Sequence, residues 1–192
     1  MDYEKMIEAF RAETEQEVQD RETTLAYIQA NRSTVLFREN KIAHMTSSGF
    51  IMNPALDKVL MVYHRIYNSW SWTGGHSDGE RDLMRTALKE AEEETGVTEF
   101  SAPLDELLSL AILPVPAHWK NGRYVGVHLH FAPSVLLLAE ETSALRVKED
   151  ENSGVRWLKV SELDRYVTEA EMLPVYRRLI EKSHALRRSG RV

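Results

Sequence analysis

The chain has 192 residues, of which 43% are hydrophobic, so it can bury the core of one domain, with or without an extension. Its formal net charge of -6 argues against general nucleic-acid binding, which requires a basic surface. It has no cysteine, which excludes disulfides, zinc–thiolate sites and thiol catalysis.

Nothing in the sequence indicates a membrane or an export signal. The first five residues are acidic in character and do not resemble a signal peptide. The longest purely apolar run, residues 135–139, is too short to cross a bilayer. We therefore expect a cytoplasmic protein with no membrane contact.

Two helices are predicted at the N-terminus. Residues 2 to about 31 are rich in Glu, Gln, Ala and Arg and carry apolar residues at helical intervals, and the second helix is expected to end near Asn31. We assign residues 1–35 to a helical extension and residues 36–192 to the main domain. The extension could contribute to a homodimer or cover a pocket, and both roles stay open at this point.

Strand patterns dominate the rest of the chain. The predicted strands cover residues 43–52, 58–64, 70–74, 107–114, 124–131, 134–140 and 155–160. The strand at 134–140 either continues or restarts the one before it, and a loop is predicted at 120–122. Ser161 and Asp164 fit a capping box at a helix start, and a final helix is predicted from about Pro174 to Arg187.

The most informative segment is residues 74–97. A glycine turn leads into an amphipathic helix with an apolar stripe formed by Leu83, Met84, Ala87, Leu88 and Ala91. Asp82 or Glu80 suits the positive end of the helix dipole, and Gly96 suits the left-handed turn that ends a helix.

Three carboxylates of this helix are spaced so that they share one flank. Glu90, Glu93 and Glu94 stand at positions i, i+3 and i+4. Like charges this close repel unless something positive lies among them, and their oxygens suit Mg²⁺ or Mn²⁺. A solvated acidic face is the alternative for such a run alone, but the glycines on both sides favour a metal site.

The segment resembles the Nudix box, whose family pattern is G-x5-E-x7-R-E-U-x-E-E-x-G-U with U aliphatic. Gly75 fills the first glycine position, and residues 89–97 match the end of the pattern except that Lys89 replaces the arginine. Arg81 occupies the first glutamate position, with Glu80 one residue early. In the family this glutamate and arginine support each other, so Glu80 and Lys89 are the candidates for that pair here.

Other segments extend the resemblance to roughly residues 40–165. They are the strand that enters the box at 70–76, the His-x-His strand at 128–131, and the acidic loop with its Trp strand at 149–158. The resemblance implies an α/β (α+β) fold, the Nudix α/β/α sandwich with a mixed β-sheet, here with the N-terminal helical extension. The box itself covers residues 75–97.

The resemblance also implies an activity, which is hydrolysis of a nucleoside diphosphate linked to another moiety X. Water attacks phosphorus, and Mg²⁺ or Mn²⁺ offsets charge on the diphosphate. The implied metal ligands are Glu90, Glu93, Glu94 and the carbonyl of Gly74. Glu93 is the first choice for the general base, and Glu151 or Glu149 on the acidic loop is the distal candidate.

Four further residues are candidates for substrate binding. His128 and His130 alternate on a strand and so face one side, where they could contact phosphate or serve as structural histidines. His76 beside the glycine turn could touch phosphate or cap a backbone group. Trp72 could stack on a nucleobase, although core packing is favoured.

Two competing functions follow from the same resemblance. A Nudix domain that binds a nucleotide or sugar-nucleotide without hydrolysing it is the main alternative, and the altered positions Arg81 and Lys89 give it weight. Isomerase chemistry of the isopentenyl-diphosphate type is disfavoured because that family uses a catalytic cysteine and this chain has none. The box does not indicate the identity of X. Candidate substrates include ADP-ribose, other sugar nucleotides, dinucleoside polyphosphates and oxidised nucleoside triphosphates.

Overall fold

The structure is a computed structural model that describes residues 2–120 and 122–192. Its helices are α1 (Tyr3–Ala9), α2 (Glu15–Asn31), α3 (Leu83–Thr95), α4 (Leu163–Tyr166) and α5 (Met172–Arg188), with a 3₁₀ turn at Val160–Glu162. Its strands are β1 (Ala43–Met52), β2 (Lys58–His64), β3 (Ser69–Ser71), β4 (Thr73–His76), β5 (Ser109–Val115), β6 (His118–Lys120), β7 (Arg123–Val125), β8 (His128–Leu138) and β9 (Asn152–Lys159).

The main sheet is mixed and is built around the long buried strand β1. The strand order is β3-β2-β1-β8-β5, and β4 and β9 pair with β1 and β2 respectively. Strands β1 and β8 run parallel, whereas β1 pairs antiparallel with both β2 and β4. Residues 51–52 of β1 thus pair with β2 and residues 46–49 pair with β4. The end of β4 and the start of β8 therefore flank the same end of β1.

Helices cover both faces of this sheet, and each face has its own hydrophobic core. The first core joins the N-terminal helices to α3 through residues such as Ile7, Ile28 and Ala87. The second core joins Phe50 of β1 to α4 and α5 through residues such as Tyr176. The predicted α/β/α sandwich with a mixed sheet is therefore confirmed.

Helix α3 begins and ends as its sequence predicts. Asp82 is the N-cap, and its carboxylate accepts hydrogen bonds from the backbone N–H groups of Met84 and Arg85. Gly96 ends the helix with φ 76°, a left-handed conformation that glycine adopts without steric cost. The segment that carries the three carboxylates is thus held at both ends.

The N-terminal helices are tied to the rest of the fold by a buried ion pair. The Lys182 ammonium of α5 lies 2.8 and 2.9 Å from the two carboxylate oxygens of Glu17 in α2. Lys182 also donates to the carbonyl of Leu108, and Ser109 donates to Glu17. Both charged side chains are buried, so the extension packs as part of the same body.

Two of the predicted strands differ from those in the structure. The strand predicted at 70–74 is two strands, because β3 pairs with β2 and β4 pairs with β1. The strand predicted at 124–131 is divided between the separate β6–β7 hairpin and β8, which continues without a break to Leu138. Of the predicted loop at 120–122, Lys120 is the last residue of β6, Gly122 lies in a turn before β7, and Asn121 lies outside the described residues.

The capping box predicted at Ser161 is wrong. Ser161 lies within the 3₁₀ turn, and α4 starts at Leu163 with Glu162 as N-cap and no side-chain capping bond. Within the described ranges, no helix combines the length and the apolar character needed to cross a membrane.

Candidate active site

One large pocket of about 810 Å³ lies where β1, β4, α3 and β8 meet. One part of its wall is carboxylates and lysines, and another part is histidines. Its volume falls within the range of small-molecule sites. Of the described residues, those that line it begin at Arg38, so the N-terminal helices do not cover it.

Glu94 is the most deeply held of the three helix carboxylates. It is 3% exposed, and its two oxygens accept hydrogen bonds from the backbone N–H of Gly74 at 3.0 Å and from Asn152 at 3.1 Å. Burial raises the pKa of Glu94 to about 7, against the opposing effect of these two donors. A cation in the pocket would therefore stabilise the ionised form of this carboxylate.

Glu90 is packed directly against the glycine turn. A Cβ atom added at Gly75 would lie 2.4 Å from Cδ of Glu90. Because glycine has no Cβ, it allows the backbone to approach the carboxylate this closely. Lys89 lies 3.1 Å from Glu90 and 3.6 Å from Glu93. The glycine turn and α3 thus bring backbone and carboxylate into contact.

Glu93 and Glu151 share one lysine. The Lys148 ammonium lies 3.1 Å from Glu93 and 2.9 Å from Glu151, and Lys120 lies 3.5 Å from Glu151. The hydrogen bond from Lys148 lowers the pKa of Glu93. Burial opposes the same change at Glu151, but its lysine partners lower its pKa as well. Both carboxylates are therefore ionised at neutral pH, and both lie at the pocket.

The histidines form a compact cluster in the same pocket. His128 and His130 face one side of β8 as predicted, with their Nε2 atoms 3.2 Å apart. The ring of His76 lies 5.1 Å from that of His130, and both rings lie 4.9 Å from His44. Burial lowers the pKa of His76 to about 3 and that of His130 to about 2. These rings are therefore neutral at pH 7, so neither offers a phosphate a positive charge.

Trp72 lines the pocket and also packs against the second core. Its ring meets Tyr176 edge-on at 5.6 Å, and its backbone N–H donates to the Tyr176 hydroxyl. The structure therefore places Trp72 with one side on the core and part of its surface at the pocket.

The expected pair between Glu80 and Lys89 is not the arrangement found. Glu80 lies 3.4 Å from Arg85, and Lys89 lies among the carboxylates of α3. Arg81 turns away to the N-terminus, where it lies 2.7 Å from Asp2 and over the ring of Tyr3. The two departures from the box pattern thus have separate roles, one in the pocket and one in holding α1.

Three residues that shape the site were missed by the sequence analysis, two of which line the pocket. They are Lys148, which bridges two carboxylates, Asn152, which holds Glu94, and His44 in the histidine cluster. His44 had a usable signal, since His44, Thr46 and Ser48 alternate along β1 and so share one face. Lys148 and Asn152 had none beyond their closeness to the acidic loop.

The family model for the NUDIX domain matches residues 43–181, so this chain belongs to the Nudix family. That range contains α3, the acidic loop and the whole histidine cluster. The comparison with curated proteins found no match.

Solved structures show the same fold at low sequence identity. An Ap4A hydrolase from C. elegans, solved as a binary complex, is 15% identical with a TM-score of 0.51, over 76% of this chain and 98% of that one. The NUDIX domain of Shewanella oneidensis NrtR, solved with ADP ribose, is 17% identical with a TM-score of 0.52, over 82% and 97%. RenU, a Nudix hydrolase from M. smegmatis, is 14% identical with a TM-score of 0.51, over 74% and 87%.

Proposed function

We propose that this protein hydrolyses the diphosphate bond of a nucleoside diphosphate linked to another moiety X, with Mg²⁺ or Mn²⁺. The observation that carries the proposal is the meeting of four carboxylates, Glu90, Glu93, Glu94 and Glu151, at one pocket beside the glycine turn. A site whose ligands are all carboxylate oxygens suits a hard divalent ion such as Mg²⁺ or Mn²⁺. Membership of the Nudix family supports the same class of reaction.

Each carboxylate has a role that its surroundings suggest. Glu90 and Glu94 are buried and fixed by their neighbours, so they are the ligands with the most defined positions. Glu93 and the carbonyl of Gly74 complete the proposed set. The metal, when bound, supplies charge neutralisation at the diphosphate and a lower pKa for the attacking water.

Two lysines prepare the pocket for an anionic substrate. Lys89 and Lys148 now neutralise Glu90, Glu93 and Glu151. A cation in the carboxylate cluster would release these ammonium groups toward phosphate oxygens, where lysine is a common ligand. Lys89 in place of the family's arginine suits this role as a point charge.

Glu93 is the proposed general base, and Glu151 is the distal candidate. Glu93 is ionised and its side chain is 41% exposed, so water can reach it. Glu151 is more enclosed, at 30%. Both carboxylates bind Lys148, whose positive charge lowers their pKa and so weakens each of them as a base.

The substrate is proposed only as a class. A nucleotide derivative is in keeping with the worm Ap4A hydrolase and the ADP ribose-bound NrtR domain, which share this fold. The proposed contacts of X and its nucleoside are His76, His128, His130 and the pocket side of Trp72. A homodimer stays a prediction.

A product screen by mass spectrometry, with Mg²⁺ and separately with Mn²⁺, tests the proposal over a panel of nucleoside diphosphate derivatives. We expect metal-dependent cleavage between the phosphates of at least one compound. Glu93→Gln should lower turnover by about 100-fold or more with the fold intact, because it removes the proton acceptor. The matched control is Glu92→Gln, which makes the same change at an exposed neighbour.

Either of two results would count against this assignment. Full turnover by Glu93→Gln would remove Glu93 from the mechanism and make Glu151 the base. Tight binding of a nucleotide with no cleavage of any compound would favour the alternative, a Nudix domain that binds its ligand without hydrolysing it.

A further inference from the structure

Three histidines from three different strands meet in the pocket. In the sheet register, His44 of β1 is the partner of His130 of β8, and Thr46 of β1 is the partner of His76 of β4. His44 and Thr46 lie two residues apart, so all three histidines project from the same face. One nitrogen from each lies within 4.8 Å of the others.

His44 carries an unsatisfied nitrogen. Its side chain is 3% exposed, and its Nδ1 lies 2.9 Å from the carbonyl of Asn40, which fixes Nδ1 as the protonated donor. Its Nε2 is buried and has no hydrogen-bond partner among the residues that the structure describes. Burying a polar nitrogen without a partner costs free energy, so a lone pair left in this state indicates a ligand that is still to be bound.

His130 is oriented by its neighbour. Nδ1 of His128 lies 2.9 Å from the carbonyl of Gly126 and donates to it. Nε2 of His128 lies 3.2 Å from Nε2 of His130, so one of these two nitrogens donates a hydrogen bond to the other. A hydrogen bond on the far nitrogen is how metal-binding imidazoles are usually held in place.

We propose that His44, His76 and His130 bind one divalent transition-metal ion of the Zn²⁺ class, at a site separate from the carboxylate cluster. Three neutral imidazoles suit zinc and its neighbours, whereas Mg²⁺ requires oxygen ligands. Three nitrogens bound to one ion at about 2.1 Å lie about 3.0–3.5 Å apart, so the rings must close by roughly 1–2 Å. Three protein ligands leave a fourth position open to the pocket.

Metal titration of the full chain tests this site. The protein, freed of any affinity tag and stripped by a chelator, is titrated with Co²⁺ in excess Mg²⁺, and visible absorption reports the coordination of Co²⁺. We expect one Co²⁺ per chain with the spectrum of nitrogen ligation, displaced by Zn²⁺. His44→Gln and His130→Gln should each weaken Co²⁺ binding by about tenfold or more.

Two control variants separate the histidine site from its surroundings. His64→Gln alters a histidine that lines the same pocket but stacks on Tyr67, so it should bind Co²⁺ as the unaltered chain does. Glu93→Gln alters the carboxylate cluster and should also keep Co²⁺ binding. Loss of binding in Glu93→Gln but not in His44→Gln would overturn the proposal, as would a folded native chain that takes up no Co²⁺.

A measurement on the unaltered chain covers the case in which the histidine variants do not fold. Zinc K-edge X-ray absorption of the Zn²⁺-loaded protein should show nitrogen neighbours at about 2.0 Å with the outer-shell scattering of imidazole. A spectrum explained by oxygen neighbours alone would place the ion among the carboxylates and refute the histidine site. Both results are independent of the hydrolytic activity.

Discussion

Gly75 shows how a single hydrogen atom in place of a side chain shapes the site. Because an added Cβ would lie 2.4 Å from Cδ of Glu90, Gly75→Ala must push that carboxylate out of position. We expect metal-dependent turnover to fall by about 100-fold, since a displacement of about 1 Å at a reacting centre has an effect of that size. Steady-state kinetics with the substrate found by the product screen measures it.

Gly126→Ala is the matched control, because an added Cβ there meets no atom within 4 Å. It should keep turnover within about twofold, as expected for a methyl group in open space. Equal losses in the two variants would show that the contact between Gly75 and Glu90 is not what the pocket depends on.

Two buried groups predict opposite effects of pH on the stability of the metal-free protein. Burial lowers the pKa of His130 from 6.5 to about 2, so below pH 6.5 the unfolded chain binds a proton that the folded chain refuses. This effect destabilises the fold as pH falls through 6.5. Burial raises the pKa of Glu94 from 4.5 to about 7, so between these values the folded chain holds the extra proton. That effect stabilises the fold as pH falls through 7.

Urea unfolding at about pH 7.5 and about pH 5.5 separates the two effects. On acidification His130→Asn should lose about 1 kcal/mol less stability than the native chain, and Glu94→Gln should lose about 1 kcal/mol more. Parallel pH profiles for all three proteins would show that neither pKa is shifted in the folded state.

The carboxylates of the site were accessible to sequence analysis and several of their partners were not. Helical periodicity alone places Glu90, Glu93 and Glu94 on one flank, because positions i, i+3 and i+4 are neighbours on any helix. Lys148 contacts Glu93 and Asn152 contacts Glu94 because pairing of β9 with β2 brings this part of the chain beside α3, which no local pattern records. Local periodicity therefore places the three carboxylates together but does not predict the lysine and the amide that bind them.

At the scale of the elements, the ion pair between α2 and α5 is the clearest test of how the N-terminal helices are held. Glu17 and Lys182 are both buried, and removing one partner leaves the other charge without compensation. Glu17→Gln should therefore destabilise the fold by about 3–5 kcal/mol. Replacing both residues, as Glu17→Gln with Lys182→Met, should recover most of that loss. The free energy of urea unfolding is the measurement.

An exposed pair serves as the control for this prediction. Arg191 and Glu106 lie 2.6 Å apart with side chains 46% and 42% exposed. Glu106→Gln should cost less than about 1 kcal/mol, because solvent screens such pairs. A loss at Glu17 as small as the loss at Glu106 would show that the pair between α2 and α5 is solvated in solution.

The accuracy of the predicted elements depended on whether their ends were set locally. The predicted bounds of β1 and β2 match the structure, since a turn of Asn, Pro and Asp residues separates two strongly apolar runs. The division between β3 and β4 was not predicted, because it arises where neighbouring residues change their pairing partner from β2 to β1. The β6–β7 hairpin was missed because its pairing lies outside the main sheet.

At the scale of the whole molecule, the sheet separates two cores, and the first of them is shared with the N-terminus. Tyr3 and Ile7 are fully buried together with Leu83 and Ala87 of the helix that carries the carboxylates. The extension therefore packs against the apolar face of α3, whereas the carboxylates of α3 face the pocket. Stability of the site and packing of residues 1–35 are linked through this one helix.

Removal of residues 1–35 should consequently unfold the protein rather than release an independent domain. Several buried side chains are lost at once, and each large one contributes about 2–5 kcal/mol, so the sum matches the whole stability of a typical domain. The amide spectrum of residues 36–192 should lack native dispersion, whereas the full chain should show it. A well-dispersed spectrum from the truncated chain, with metal-dependent turnover, would instead show that α3 holds its carboxylates in place without the N-terminal helices.

Single substitutions in the N-terminal helices test the same packing. Ile7→Ala should cost about 2–5 kcal/mol in urea unfolding, because its side chain is fully buried. Val18→Ala, at a position 44% exposed, should cost about 0.5 kcal/mol or less.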